Sequence, residues 1–140
     1  MTSRRGSRRQ AIDVLYQADL TGSDPRVVLT EWRAAGRELD PFAEELVEGV
    51  TANRAAIDEV LSAHSEHWKL DRMASVDRTI LRLAVFELFH RPDVPAGAAI
   101  DEAVRAAKEL STEDSGRFVN GVLGKVAAEL VSEREPPDPA

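Results

Sequence analysis

The chain has 140 residues, 43% hydrophobic and 31% charged, with no cysteine and a net charge of −7. That length suits one domain able to bury a core without staples, and the absence of cysteine excludes disulfides, thiolate metal sites and cysteine nucleophiles, as suits a reducing cytosol. No stretch offers the ~18 uncharged apolar residues of a membrane span, and Asp13 and Asp19 stand where a signal peptide has its apolar block, so a cytoplasmic protein is expected. The charge is uneven: residues 1–9 carry +4, leaving −11 for residues 10–140. A short basic arm for a polyanion, on an acidic body that binds something else, fits that split.

Helical periodicity runs through the whole sequence, with no internal repeat and almost no strand signal. Ser7 followed by Gln10 has the form of a capping box, predicting a helix start at Ser7 and a flexible arginine-rich arm over 1–6. Ala11, Val14, Leu15 and Ala18 make the apolar stripe of this helix, and Gly22 ends it. Asp24–Pro25 opens a second helix through Val28, Leu29 and Trp32 to Gly36, and Asp40–Pro41 opens a third, proline being at home in the first helical position. Phe42, Leu46, Val50, Ile57, Leu61 and Trp68 keep helical spacing, so the third helix is predicted to be long, ending near 67–70.

Ser75 opens "VDRTILRLAVFELFH", apolar around most of its circumference, as befits a helix at the centre of a fold. Pro92 and Pro95 end it. Ile100, Ala103, Val104, Ala107 and Leu110 mark another amphipathic helix, and Val119, Val122, Leu123, Val126 and Leu130 line the last. The tail, 134–140, has no apolar anchor and is expected to be disordered. Six or seven helices with short connections make an all-α bundle protein.

Arg4, Arg5, Arg8 and Arg9 fall within six positions near the start of the chain. Arg8 and Arg9 fall in a first helical turn, where the macrodipole disfavours cations by roughly 0.3–1 kcal/mol each, so local stability does not account for them. Helical geometry puts Arg9 and Tyr16 within about 20° of each other on one flank. Arginine forks bind phosphate and stack on bases, and a ring offers a platform, which points to RNA with unpaired bases; a solvated, frayed terminus and a core-edge Tyr16 are the plain alternatives. In "FVNGVLGK", Gly121 and Gly124 sit inside a helical pattern at a cost of roughly 1 kcal/mol each, which predicts close approach of a backbone or ligand. Phe118 and Asn120 flank that stretch.

Three segments in order, "RRQAIDVLYQ", "VDRTILRLAVFEL" and "DVP…AIDEAVRAAKELSTEDSGRFVNGVLGKV", resemble the NusB family of bacterial transcription antitermination factors, which also assist ribosomal RNA synthesis. The resemblance runs from the arginine-rich start to about Val131, with Gly124 standing where relatives often carry a carboxylate. It implies two small antiparallel helical bundles side by side, here 7–70 and 71–133 of a single domain, 1–133. It also implies a non-enzymatic activity without cofactor: binding boxA-like single-stranded RNA with a small-subunit ribosomal protein, called NusE in this role, and loading an elongation complex on RNA polymerase. Carried over by position, Arg4, Arg5, Arg8, Arg9, Tyr16, Phe118 and Asn120 are the RNA-binding candidates, and Asp77, Arg82 and Asp114 the candidates for the ribosomal-protein contact. Relatives include monomers and homodimers, and the sequence leaves that choice open.

Other classes fare worse. "GVLGK" lacks P-loop spacing, and neither GxSxG nor GxGxxG occurs. His64 and His67 have no third ligand to complete a metal set. An accessory domain of an RNA methyltransferase needs a cofactor-binding fold that these residues do not contain. A DNA-binding regulator would spread its basic residues over a recognition helix. A protein adaptor without RNA specificity is separable by salt titration.

Overall fold

The structure, a computed structural model, describes residues 3–65 and 69–134. Among these residues it has seven α-helices, one 3-10 turn and no strand: α1 (Arg4–Thr21), α2 (Pro25–Ala34), α3 (Pro41–Ala52), α4 (Arg54–His64), α5 (Ser75–His90), α6 (Ala96–Leu110) and α7 (Glu113–Arg134). His67, Trp68 and the tail from residue 135 lie outside the described residues.

The proline starts behave as the sequence predicts. Asp24 caps α2 by accepting the Arg26 N–H, and Asp40 caps α3 by accepting the Ala43 N–H at 2.9 Å. Gly22 closes α1 in the left-handed conformation at φ 70°, where a Cβ would be strained.

Two expectations change. The first helix begins at Arg4, with the Ser3 hydroxyl accepting the Gly6 N–H at 3.1 Å. Arg4 and Arg5 therefore belong to the first turn of α1 and not to a flexible arm. Ser7 and Gln10, the supposed capping box, make tertiary contacts: the Ser7 hydroxyl donates to the Asp40 carboxylate at 2.8 Å, and Gln10 Oε1 accepts the Asp40 N–H at 3.1 Å. They tie α1 to the start of α3. The second change is that the long third helix is two helices, broken at Asn53. There the Asn53 side chain donates to Gly49 O at 2.8 Å and Thr51 to Val47 O at 2.7 Å, so side chains compete for carbonyls where the ladder would continue.

α5 lies at the centre, packing on α1, α3, α4, α6 and α7, with Ile80, Leu81, Leu83, Ala84, Val85, Phe86 and Leu88 buried. Its Phe86 ring fills the place a Cβ at Gly49 would take, 2.1 Å from it, which lets α3 and α5 approach closely. α1 packs on α2 and α3, whereas α4 packs chiefly on α5 and α7. Asn53 separates α3 from α4, and α5 packs against helices on both sides of it. One continuous apolar core joins them. Asp19, Asp58, Arg78 and Arg82 cross-link α1, α4 and α5, with Arg82 Nε 2.8 Å from Asp58 and Arg78 Nη2 2.6 Å from Asp19. Burial works to raise the Asp19 carboxyl, but hydrogen bonds from Arg78 and Ser75 and the nearby guanidinium charges hold it below its ordinary range. No helix among the described residues is long and apolar enough to cross a membrane.

Candidate nucleic-acid interface

All four arginines of the opening motif emerge from the first turn and a half of α1, and each has a partner. Arg4 stacks its guanidinium over the Phe42 ring, 3.8 Å from the centroid. Arg5 makes a two-pronged contact with Glu102 of α6, Nε to Oε2 at 3.0 Å and Nη2 to Oε1 at 2.8 Å. Arg9 pairs with Glu109, two turns further along α6. Arg8 reaches Glu87 on α5, its Nη2 2.8 Å from Oε1.

Burial separates these pairs. The Arg5 and Arg9 side chains are 57% and 40% exposed, so their pairs are surface contacts. Arg8 is 12% exposed and Glu87 only 2%, so that pair is sealed between helices. An exposed pair is worth about 0–1 kcal/mol, while a buried one strands a charge when either partner is lost. The forks of Arg5 and Arg9 can turn to a phosphate at little cost. That of Arg8 anchors α1 to α5. The hydrogen bonds and charge of Arg5 hold the Glu102 carboxyl below its ordinary range.

Arg5, Arg8 and Arg9 line one groove, floored by Ile80, Leu83 and Ala84 of α5 and walled by α1 and α6, while Arg4 lies over Phe42. Tyr16 is half-buried on α1 and Asn120 is exposed on α7. Phe118 does not line the groove. It borders a separate open cleft of about 400 Å³ with Met73, Asp77, Asp114 and Ser115, so it joins two of the residues expected at the partner contact.

In that cleft Asp77 Oδ2 accepts a hydrogen bond from Ser115 at 3.3 Å, while Oδ1 is buried without a hydrogen-bond partner among the described residues. Burial pushes the Asp77 carboxyl up, and the Ser115 hydrogen bond only partly opposes it. Asp114 is exposed beside Arg117. Arg82, the third partner-contact candidate, is buried, its guanidinium engaged by Asp58 and Asp19. Gly121 and Gly124 are exposed, and no other element among the described residues comes within 4 Å of where a Cβ would stand, so no close approach among those residues explains them. His64 turns Nδ1 to Val60 O at 2.8 Å and pairs with Glu129 of α7.

The sequence reading missed Phe42 beneath Arg4 and the carboxylates opposite Arg5, Arg8 and Arg9. A signal existed for two of them: Glu102 and Glu109 are seven residues apart, hence on one face of α6.

Fold and groove together define an all-helical protein with an arginine-faced groove suited to a polyanion. Residues 5–128 match the NusB family. The transcription antitermination protein NusB of Saccharopolyspora erythraea is 54% identical over 131 residues, covering 91% of this chain and 88% of that protein. The protein of the same description from Myxococcus xanthus is 43% identical, covering 93% and 98%. Among solved structures, T. maritima NusB superposes with a TM-score of 0.81 at 35% identity, covering 92% of this chain and 94% of that one. A crystal structure of antitermination factors NusB and NusE in complex with double-stranded RNA superposes with a TM-score of 0.78 at 31% identity, covering 90% and 96%. The chain belongs to the NusB family, and so to a family of non-enzymatic transcription antitermination factors.

Proposed function

We propose that this chain binds boxA-like single-stranded RNA along the exposed arginines of α1 and seats a small-subunit ribosomal protein, acting as NusE, at the cleft of Asp77, Asp114 and Phe118. The assembly loads onto RNA polymerase in the cytoplasm and supports ribosomal RNA transcription. The observation that carries the reading is the row of guanidinium groups on one helix, Arg4 over an aromatic ring and Arg5 and Arg9 in exposed, exchangeable pairs. Exposed forks supply phosphate contacts, and Phe42 and Tyr16 supply rings on which unpaired bases stack. Asn120 adds an exposed amide able to hydrogen-bond a base edge. Arg8 serves the site from behind, holding α1 in place. The acidic body suits a basic ribosomal protein, which reaches the cleft by electrostatic steering.

Fluorescence anisotropy with a labelled boxA-like RNA, its scrambled form and a duplex of the same sequence tests the reading, with and without the ribosomal protein. Affinity should favour the boxA-like strand, rise when the ribosomal protein is added and fall with salt. The Arg5→Gln/Arg9→Gln double variant should flatten the log–log salt slope by about 1.4, since each single-strand phosphate contact contributes ~0.7. Unchanged binding by that variant, or no gain from the ribosomal protein, refutes it.

A further inference from the structure

The groove between α1 and α6 holds more cations than the opening motif supplies. Arg105 of α6 lines it beside Arg5, Arg8 and Arg9. Three carboxylates face these four cations: Glu87 takes Arg8, Glu102 takes Arg5 and Glu109 takes Arg9. Arg105 is exposed, three residues after Glu102 and four before Glu109, and forms no ion pair among the described residues. Its charge acts on Glu102 only as a weaker neighbour behind Arg5 and Arg8. The groove therefore carries one surplus positive charge, and it sits on the α6 wall.

We propose that α6 is the second wall of the RNA groove, Arg105 being the first phosphate contact, with Glu102 and Glu109 acting as built-in competitors that release Arg5 and Arg9 when the strand arrives. This rests on the RNA-binding reading and deepens it. A carboxylate offers a guanidinium fork the same planar pair of oxygens that a phosphate does, so Glu102 holds Arg5 in the geometry a phosphate requires. The pre-set geometry favours a strand, whose successive phosphates can replace both carboxylates, over a single small anion, which can replace only one. Exposed pairs exchange easily because solvent screens them. The buried Glu87 is held back from this exchange, since it would be left charged and unpaired.

The test is anisotropy of the labelled boxA-like RNA with full-length wild type and single-site variants, each checked by circular dichroism. Arg105→Gln should lose about fivefold in affinity at ~0.1 M salt and flatten the slope by ~0.7, the value of one single-strand phosphate contact. Glu102→Gln should gain a comparable factor, and the gain should vanish in an Arg5→Gln background, a dependence that a general change of surface charge does not produce. Full affinity in Arg105→Gln, or a Glu102→Gln gain that survives without Arg5, overturns the α6 assignment alone. Equal competition by an oligoglutamate peptide overturns the assignment of the groove to RNA. Absence of RNA binding by the wild type overturns both this proposal and the function it rests on.

Discussion

The arginine motif contains one residue whose loss should unfold the protein before it affects any ligand. Arg8 gives Glu87 three close contacts, Nε to Oε1 at 2.9 Å, Nε to Oε2 at 3.1 Å and Nη2 to Oε1 at 2.8 Å, and Glu87 is 2% exposed. Arg8→Met removes the only guanidinium paired with that carboxylate among the described residues and leaves it buried, which costs about 3–5 kcal/mol. For a domain of this size that is roughly 10–20 °C in Tm. Arg9→Met breaks an exposed pair and should cost no more than about 1 kcal/mol, or roughly 3 °C. The double variant Arg8→Met/Glu87→Leu removes both charges and should return to within about 1 kcal/mol of wild type, because desolvation and attraction disappear together. Differential scanning calorimetry on these proteins, with Glu87→Leu added to complete the Arg8/Glu87 cycle, measures the coupling. An Arg8→Met variant as mild as Arg9→Met, or a double variant no more stable than Arg8→Met, refutes the anchoring role. The repaired double variant then serves in the RNA titration: an unchanged salt slope places Arg8 behind the site, and a slope flatter by ~0.7 makes it a phosphate contact after all.

Three further outcomes follow from other residues. Asp77→Asn should raise Tm at pH 7 by about 2 °C while weakening ribosomal-protein binding: a carboxyl whose folded pKa is raised penalises the fold above its ordinary pKa, so the difference from wild type should close as pH falls below ~4. Thermal scans across pH check the sign, and a lower Tm at pH 7 contradicts it. Gly121→Ala and Gly124→Ala should each raise Tm by about 3 °C, since an exposed helical glycine costs roughly 0.5–1 kcal/mol against alanine and nothing crowds the new methyl; a drop in Tm at either site contradicts the open geometry. The hydrogen bond to Val60 leads the effects that raise the His64 pKa; burial and Lys125 oppose it and Glu129 assists, so its stabilisation is full below pH ~6.5 and lost as pH rises through the raised value. His64→Gln should therefore remove a fall of about 1–2 °C in Tm between pH ~6 and ~8 that the wild type shows.

What could be read from the sequence divides along the distance over which each cause acts. Pro25 and Pro41 announced their helices because the capping aspartate is the preceding residue. The apolar circumference of α5 announced its central place because burial is written in its own composition. Ser7 and Gln10 misled because a capping-box spacing is identical whether the side chains turn to their own helix or, as here, to Asp40, thirty-three and thirty residues away. The break at Asn53 was hidden by Val50, Ile57 and Leu61, which keep helical spacing across it while two side chains share the carbonyls with the backbone. The arginine partners were the least legible, at separations of 79, 97 and 100 residues, where no local pattern reports pairing. That last failure bears on function. The split of charge between the opening residues and the body suggested a bare cationic arm, yet part of the body's acidity is folded back onto those same cations. A phosphate chain approaching the groove meets the cations left after internal pairing, so the strength of the site depends on how easily each glutamate yields. Burial sets that order, with the Glu102 and Glu109 pairs open to exchange and the Glu87 pair closed to it.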